Sequence, residues 1–362
     1  MIKKKKILVI DDSAFMRRVI SDIINSDNRL IVVGTAKNGK EGLRKIKELN
    51  PDVITTDIEM PTMNGLEMIK ILMETTPKPV LVISAFTKEG ADTTIKALEL
   101  GAVDFITKPE NIFKINKEET KKQILEKIIT ASNIRNLPHK NIKNIRKDIK
   151  NIEKNTIKKE SIKEYGKYLR KIVAIGTSTG GPRALQEVLP YIPKTLPASY
   201  VIVQHMPPGF TKSLSERLNS LSDITVKEAK DKDILYPGVA YIAPGDYHIL
   251  IEKANNSSDY WIRLSSSPPV AGHRPSVNVM FNSLIETNFN DIIGVIMTGM
   301  GTDGLEGMKN LKRKKNAFII AQEEKSCVVY GMPRAVIEAG IADVVVPLHK
   351  IAKEIIKVVE VF

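Results

Sequence analysis

Five short apolar runs punctuate the first third of the chain: Ile7–Ile10, Leu30–Val33, Val53–Ile54, Val80–Ile83 and Val103–Ile106. Each is followed by a helix-compatible segment. Strand alternating with helix five times predicts a doubly wound parallel sheet. The second half carries further apolar strands at Ile172–Ile175, Tyr200–Gln204 and Ile292–Thr298, the first and last running into glycine-rich turns and the second ending at His205. Between the halves the pattern lapses. From His139 to Lys171 there are twelve Lys or Arg against four Asp or Glu, in a segment rich in Lys, Asn and Ile. Its isoleucines at 142, 145, 149, 152, 157 and 162 leave room for a marginal amphipathic helix, but the favoured reading is a solvated linker. The expected fold class is therefore α/β, with two doubly wound domains. The first, 1–125, is a (βα)5 unit; a basic linker spans 126–167; a larger α/β unit with a mainly parallel sheet occupies 168–362.

Open parallel sheets deliver the C-terminal ends of their strands to a common edge, where sites form. Three such ends in the second half carry complementary chemistry. The turn Gly176-Thr177-Ser178-Thr179-Gly180-Gly181 leads into Pro182, a residue suited to the first turn of a helix. A serine on a G-x-S-x-G turn is lifted clear of the sheet, and N–H groups at the helix start can stabilise an oxyanion. His205 ends the second strand and can act as its base. Asp303 lies in the turn Gly299-Met300-Gly301-Thr302-Asp303-Gly304 after the third and can orient the histidine. Singly, each has a plainer explanation: a loop serine, a satisfied strand-end histidine, a helix N-cap aspartate. Either glycine-rich turn could instead cradle a dinucleotide phosphate, yet neither is followed about 20 residues later by an acidic residue ending a clear strand. A nucleophile, base and orienting carboxylate on one rim is the leading interpretation.

The first half places different chemistry at its strand ends. Asp11 and Asp12 close the first strand, Asp57 the third and Ser84 the fourth, while Lys108 precedes Pro109 after the fifth. Three carboxylates at one edge repel unless a hard cation neutralises them, and oxygen-only ligands favour Mg²⁺. Asp57 is then a candidate phosphoryl acceptor, with Lys108 neutralising the added charge.

Composition narrows the field. A formal charge of +13 invites a nucleic-acid reading, but the excess is concentrated in the linker, which lacks the glycine or aromatic punctuation of a recognition module. The lone Cys327 excludes an intrachain disulfide. After Lys3–Lys6 the apolar run Ile7–Ile10 is too short for a signal peptide or membrane span, so a cytoplasmic protein is expected.

Residues 5–125 resemble response-regulator receiver domains through I-L-V-I-D-D-S, D-I-E-M-P-T-M-N-G-L and F-I-T-K-P. The resemblance implies a flavodoxin-like fold, phosphorylation at Asp57, Mg²⁺ held by Asp11, Asp12, Asp57 and the Glu59 carbonyl, phosphoryl contacts from Ser84 and Lys108, and Phe105 as an aromatic that reorients. Asn64 departs from the Asp common before that glycine. From about residue 168 the chain resembles the catalytic domain of the CheB family of chemotaxis protein-glutamate methylesterases. The matching segments are A-I-G-T-S-T-G-G-P, V-Q-H-M-P-P-G-F-T, Y-I-A-P-G-D-Y-H, H-R-P-S-V-N-V-M-F, I-M-T-G-M-G-T-D-G and V-V-Y-G-M-P-R-A-V. This resemblance implies a Ser178, His205, Asp303 triad with the N–H of Met300, and a donor near Thr179, facing the oxyanion. Thr177 and Asn278 depart from the Ala and Asp usual there. His273 and Arg274 are expected near the substrate cleft or at a loop corner, His248 as a packed or edge residue, and His139 and His349 at the surface. The implied partners are methyl-accepting chemoreceptors and a chemotaxis histidine kinase, with no nucleic acid, no membrane insertion and a monomeric chain.

Overall fold

The computed structural model describes residues 4–108, 118–134, 169–254 and 259–361. The chain divides into two compact units, Met1–Leu137 and Pro138–Phe362. The candidate amphipathic helix, and nearly all of the basic segment, lie outside the described residues, as does His139.

In the first unit, strands β1 (Lys5–Ile10), β2 (Leu30–Ala36), β3 (Val53–Asp57), β4 (Val80–Ser84) and β5 (Asp104–Thr107) form one parallel sheet in the order β2-β1-β3-β4-β5. Helices α1 (Ala14–Asn25), α2 (Gly39–Leu49), α3 (Gly65–Thr75), α4 (Lys88–Leu100) and α5 (Glu118–Ser132) complete it. Local signals place the first four helix starts, because Ser13, Asn38, Asn64 and Thr87 each accept a backbone N–H at the cap. Asn64 forms a reciprocal capping box with Glu67, using a side-chain oxygen that the Asp common at this position also offers. Gly65 is obligatory by contact, since a Cβ there would stand 2.2 Å from the Asp57 carbonyl oxygen. Helix α5 runs past the expected boundary at residue 125. Ile124, Ile128 and Ala131 are buried against Ile7, Val9, Ile83 and Ile106, so the apolar face of this lysine-rich stretch belongs to the first unit.

The second unit is built on β6 (Lys171–Thr177), β7 (Ala198–Gln204), β8 (Thr225–Glu228), β9 (Val239–Ile242), β12 (Ile292–Ile296), β13 (Phe318–Gln322) and β14 (Val344–Val346). These make a seven-stranded parallel sheet in the order β14-β13-β12-β6-β7-β9-β8. A separate antiparallel pair, β10 (His248–Lys253) and β11 (Tyr260–Ser265), packs with α8 (Val277–Ile285). The other helices are α6 (Gly181–Val188), α7 (Phe210–Leu221), α9 (Leu305–Lys315), α10 (Met332–Glu338) and α11 (Leu348–Val361). Strands β6, β7 and β12 are buried along their whole length, which is why they read as apolar runs. The chain winds outward in both directions from β6, so the crevice at its carboxyl end is a topological switch point. Among the described residues no helix is long and apolar enough to cross a membrane.

Candidate active site

Backbone bonds continue the sheet beyond the strand ends and lace three loops together. Ser178 N–H donates to the Thr298 carbonyl at 3.0 Å, Met297 N–H to the Gly176 carbonyl at 3.0 Å, and His205 N–H to the Thr177 carbonyl at 3.2 Å. Side chains reinforce the lacing. The Thr177 hydroxyl donates to the Thr298 carbonyl at 2.9 Å, Thr298 Oγ1 donates to the Thr179 carbonyl at 2.9 Å, and Gln204 Nε2 reaches the carbonyls of Ser178 and His205 at 3.0 and 3.2 Å. Gly299 permits the closest approach: a Cβ there would lie 2.9 Å from Ser178 Cβ and 2.2 Å from Met332 Sδ.

His205 Nε2 stands 2.8 Å from Asp303 Oδ2, in a pair whose side chains are 8% and 2% exposed. A carboxylate only accepts, so Nε2 carries the hydrogen. Nδ1 is buried with no hydrogen-bond partner and keeps its lone pair for a proton. The imidazole is stacked against His273, ring centroids 4.0 Å apart and planes 5° from parallel.

Asp303 is over-determined. Oδ2 also accepts Val277 N–H at 2.7 Å, while Oδ1 accepts the Ser276 hydroxyl and Asn278 N–H at 3.0 Å each. Burial pushes its carboxyl up, but His205 and the backbone donors of Asn278 and Val277 outweigh this and hold it at about 2. Asp303 does cap a helix, though not the one that follows it: it caps α8. Asn278 returns the service by accepting Gly304 N–H at 3.1 Å and Gly307 N–H at 2.8 Å at the start of α9. The amide found there instead of Asp is thus an acceptor for two helix-start donors.

Met300 lies in the Gly299–Gly304 turn and Thr179 just before α6. Arg274 is a loop corner: its carbonyl accepts Asp246 N–H and its guanidinium binds the carbonyls of Ser266 and Ser267. His349 is exposed, and Cys327 is buried, its thiol pushed up to about 12 by desolvation. Ser276, Gln204, Thr298 and His273 fall inside the matched segments, but their contacts are not readable along the chain. Each is one polar residue whose partner lies in another element.

In the first unit the carboxylates of Asp11, Asp12 and Asp57 come within 4.8 Å of one another at the switch point between β1 and β3. Lys108 Nζ bonds Asp57 Oδ2 at 2.5 Å and lies 3.4 Å from Asp11 Oδ2. Asp11 Oδ2 is buried without a hydrogen-bond partner, and burial holds its carboxyl above the ordinary range despite Lys108. Lys108 is lowered by its own burial, yet Asp57 and Asp11 hold it above the ordinary lysine value. Excess buried negative charge with an unsatisfied oxygen suits a hard divalent cation. Glu59 is exposed, and its carboxylate is not one of the three groups. The Ser84 hydroxyl donates to the Gly90 carbonyl at 3.0 Å and accepts from Thr94 at 2.7 Å. Phe105 is buried at 3% exposure, and Lys127 Nζ lies 5.2 Å from its ring centroid while bonding the Phe105 carbonyl at 2.7 Å. Lys127 falls in the stretch expected to be linker.

The family model for the CheB methylesterase matches residues 173–355, and that for the response regulator receiver domain matches 7–118. A protein-glutamate methylesterase/protein-glutamine glutaminase of Halalkalibacterium halodurans is 47% identical over 352 residues, 97% of this chain and 97% of that one. Its namesake in Pyrococcus horikoshii is 45% identical over 359 residues, 99% and 95% of the two chains. The crystal structure of the Thermotoga maritima CheB methylesterase catalytic domain is 46% identical and covers 53% of this chain and 98% of that one, with a TM-score of 0.50. Matched along nearly its whole length, this chain belongs to the CheB methylesterase family of hydrolases and carries a receiver domain ahead of its catalytic domain.

Proposed function

We infer that the protein hydrolyses γ-methyl esters of glutamate side chains on chemoreceptors, under control of phosphorylation at Asp57. The observation that carries this reading is the His205 side chain, 8% exposed, its Nε2 paired to Asp303 and its Nδ1 unbonded, on the rim where the Ser178 turn begins. Ser178 Oγ attacks the ester carbonyl carbon as His205 Nδ1 takes its proton, and Asp303 stabilises the resulting imidazolium. The N–H of Met300 and a donor at the Thr179 turn hold the tetrahedral oxygen. His205 returns the proton to the methoxy group, methanol leaves, and water cleaves the acyl-enzyme by the same steps to free glutamate. A primary amide passes through a similar intermediate, so the site also deamidates glutamine, releasing ammonia. The names of the full-length relatives support both activities.

In the receiver, Asp57 accepts the phosphoryl group from a chemotaxis histidine kinase; Asp11, Asp12 and Asp57, with the Glu59 carbonyl, would hold Mg²⁺, which would supply charge neutralisation there. Lys108 pairs with the added phosphoryl. Ser84 and Phe105 transmit the change. The deciding experiment is methanol release from methylated chemoreceptors, with and without a small phosphodonor. Release that a phosphodonor stimulates supports the reading, whereas hydrolysis of generic esters with none from receptors would assign a different substrate.

A further inference from the structure

Ser276 is the N-cap residue of α8, yet its hydroxyl makes no bond to its own helix. A serine at an N-cap ordinarily accepts from the second or third helical N–H. Here Asp303 caps the helix instead, and the Ser276 hydroxyl donates to Asp303 Oδ1 at 3.0 Å. The other end of the residue is held too. Ser276 N–H donates to His248 Nδ1 at 3.1 Å, and His248 Nε2 lies 3.2 Å from the Pro268 carbonyl. A carbonyl cannot donate, so Nε2 carries the hydrogen and Nδ1 must be the acceptor; the partners leave a neutral ring with one tautomer. His248 is 1% exposed, at the first position of β10. A hydrogen-bonded line therefore runs from the Pro268 carbonyl through His248, Ser276 and Asp303 to His205.

We propose that His248 is a positioning residue for the esterase, acting through Ser276 to fix the rotamer of Asp303 and thereby the ring of His205. The proposal rests on the triad reading of Ser178, His205 and Asp303. It differs from simple packing because β10 and α8 share a second bond, Ile251 N–H to Ser283 Oγ at 3.0 Å, which touches nothing in the site. That bond is the internal control.

The experiment compares His248→Leu, His248→Asn, Ser276→Ala and Ser283→Ala in the intact chain, by methanol-release kinetics, thermal unfolding, and the downfield proton resonance of His205 Nε2. Ser276→Ala and His248→Leu should each lower kcat about tenfold or more with KM within about twofold, and shift or broaden the His205 resonance. His248→Asn, whose Oδ1 can replace Nδ1 as acceptor, should recover much of the rate. Combining His248→Leu with Ser276→Ala should cost no more than the worse single change, because both cut one line. Ser283→Ala should lower the melting temperature and leave kcat and the resonance unchanged. Should His248→Leu fail to fold, Ser276→Ala decides, since it removes one hydroxyl. A Ser276→Ala enzyme with kcat within twofold of the parent and an unmoved resonance overturns the proposal, as does an equal loss of kcat in Ser283→Ala. A parent chain that releases no methanol, yet whose His205 resonance moves in Ser276→Ala, sinks the esterase reading and keeps the positioning role.

Discussion

Asp303 shows how much one residue can be asked to do at the start of two helices. All four of its partners donate: His205 Nε2, Val277 N–H, Asn278 N–H and the Ser276 hydroxyl. Asp303→Asn is therefore expected to cost about 10³–10⁴ in kcat, because an amide nitrogen in either orientation faces a donor or forces the wrong histidine tautomer. Steady-state kinetics on folded variant check it; a loss under tenfold would contradict the role. The same bonds carry a pH signature. A carboxyl held at about 2, against an ordinary value of 3.8, stabilises the fold above pH 4, and that contribution disappears as pH falls toward 2. It amounts to roughly 2 kcal/mol. The stability gap between the parent and Asp303→Asn should close over that window in acid unfolding curves. At Ser178 the expectation is simpler: Ser178→Ala loses about 10⁴-fold or more of methanol release at unchanged melting temperature, and retention of a tenth of the rate rules out the nucleophile assignment.

Helices α8 and α9 cap each other across the site, Asp303 serving the first and Asn278 the second. Asn278→Ala removes an acceptor from two N–H groups and should cost about 1–2 kcal/mol, a fall of about 2–8 °C in the melting temperature of the catalytic unit. Asn278→Asp should recover most of it, and a Tm for Asn278→Ala within one degree of the parent would show the cap to be idle. Elements of this kind divide sharply in how readable they are. The strands of the first sheet, and β6, β7 and β12 of the second, follow from apolar runs, and the caps of α1 to α4 are Ser, Asn or Thr at the helix start, all local signals; β8, β9, β13 and β14 are not read from the sequence. The C-terminal half of α5, beyond residue 125, escaped because a lysine-rich stretch reads as solvated. The helix's Ile124, Ile128 and Ala131 face inward only against a sheet that already exists, and Lys127 gains its role only once Phe105 lies beneath it.

Across the whole molecule, Asp57 and Ser178 lie in different units; if phosphorylation at the first governs ester hydrolysis at the second, as proposed, the output is a shift between states that differ in activity. A phosphoryl group brings about two negative charges to the Lys108 pocket. Removing residues Met1–Leu137 should raise methanol release above that of the unphosphorylated intact chain, and Asp57→Asn should abolish the response to a phosphodonor. If the isolated catalytic unit is no faster, phosphorylation activates by building contacts and not by relieving obstruction.

From sequence alone came the two α/β domains, the strand-end positions of Asp11, Asp57, Lys108, Ser178 and His205, and Asp303 in the turn that follows β12. Strand ends are local features, and parallel sheets gather them on one edge whatever lies between. Only the tertiary structure decided which nitrogen of His205 meets Asp303, which helix Asp303 caps, and that His248 and Ser276 stand behind it. Those choices depend on hydrogen-bond partners far apart in the chain. Burial makes each bond count, and no periodicity or spacing along the sequence encodes a donor that arrives from another element.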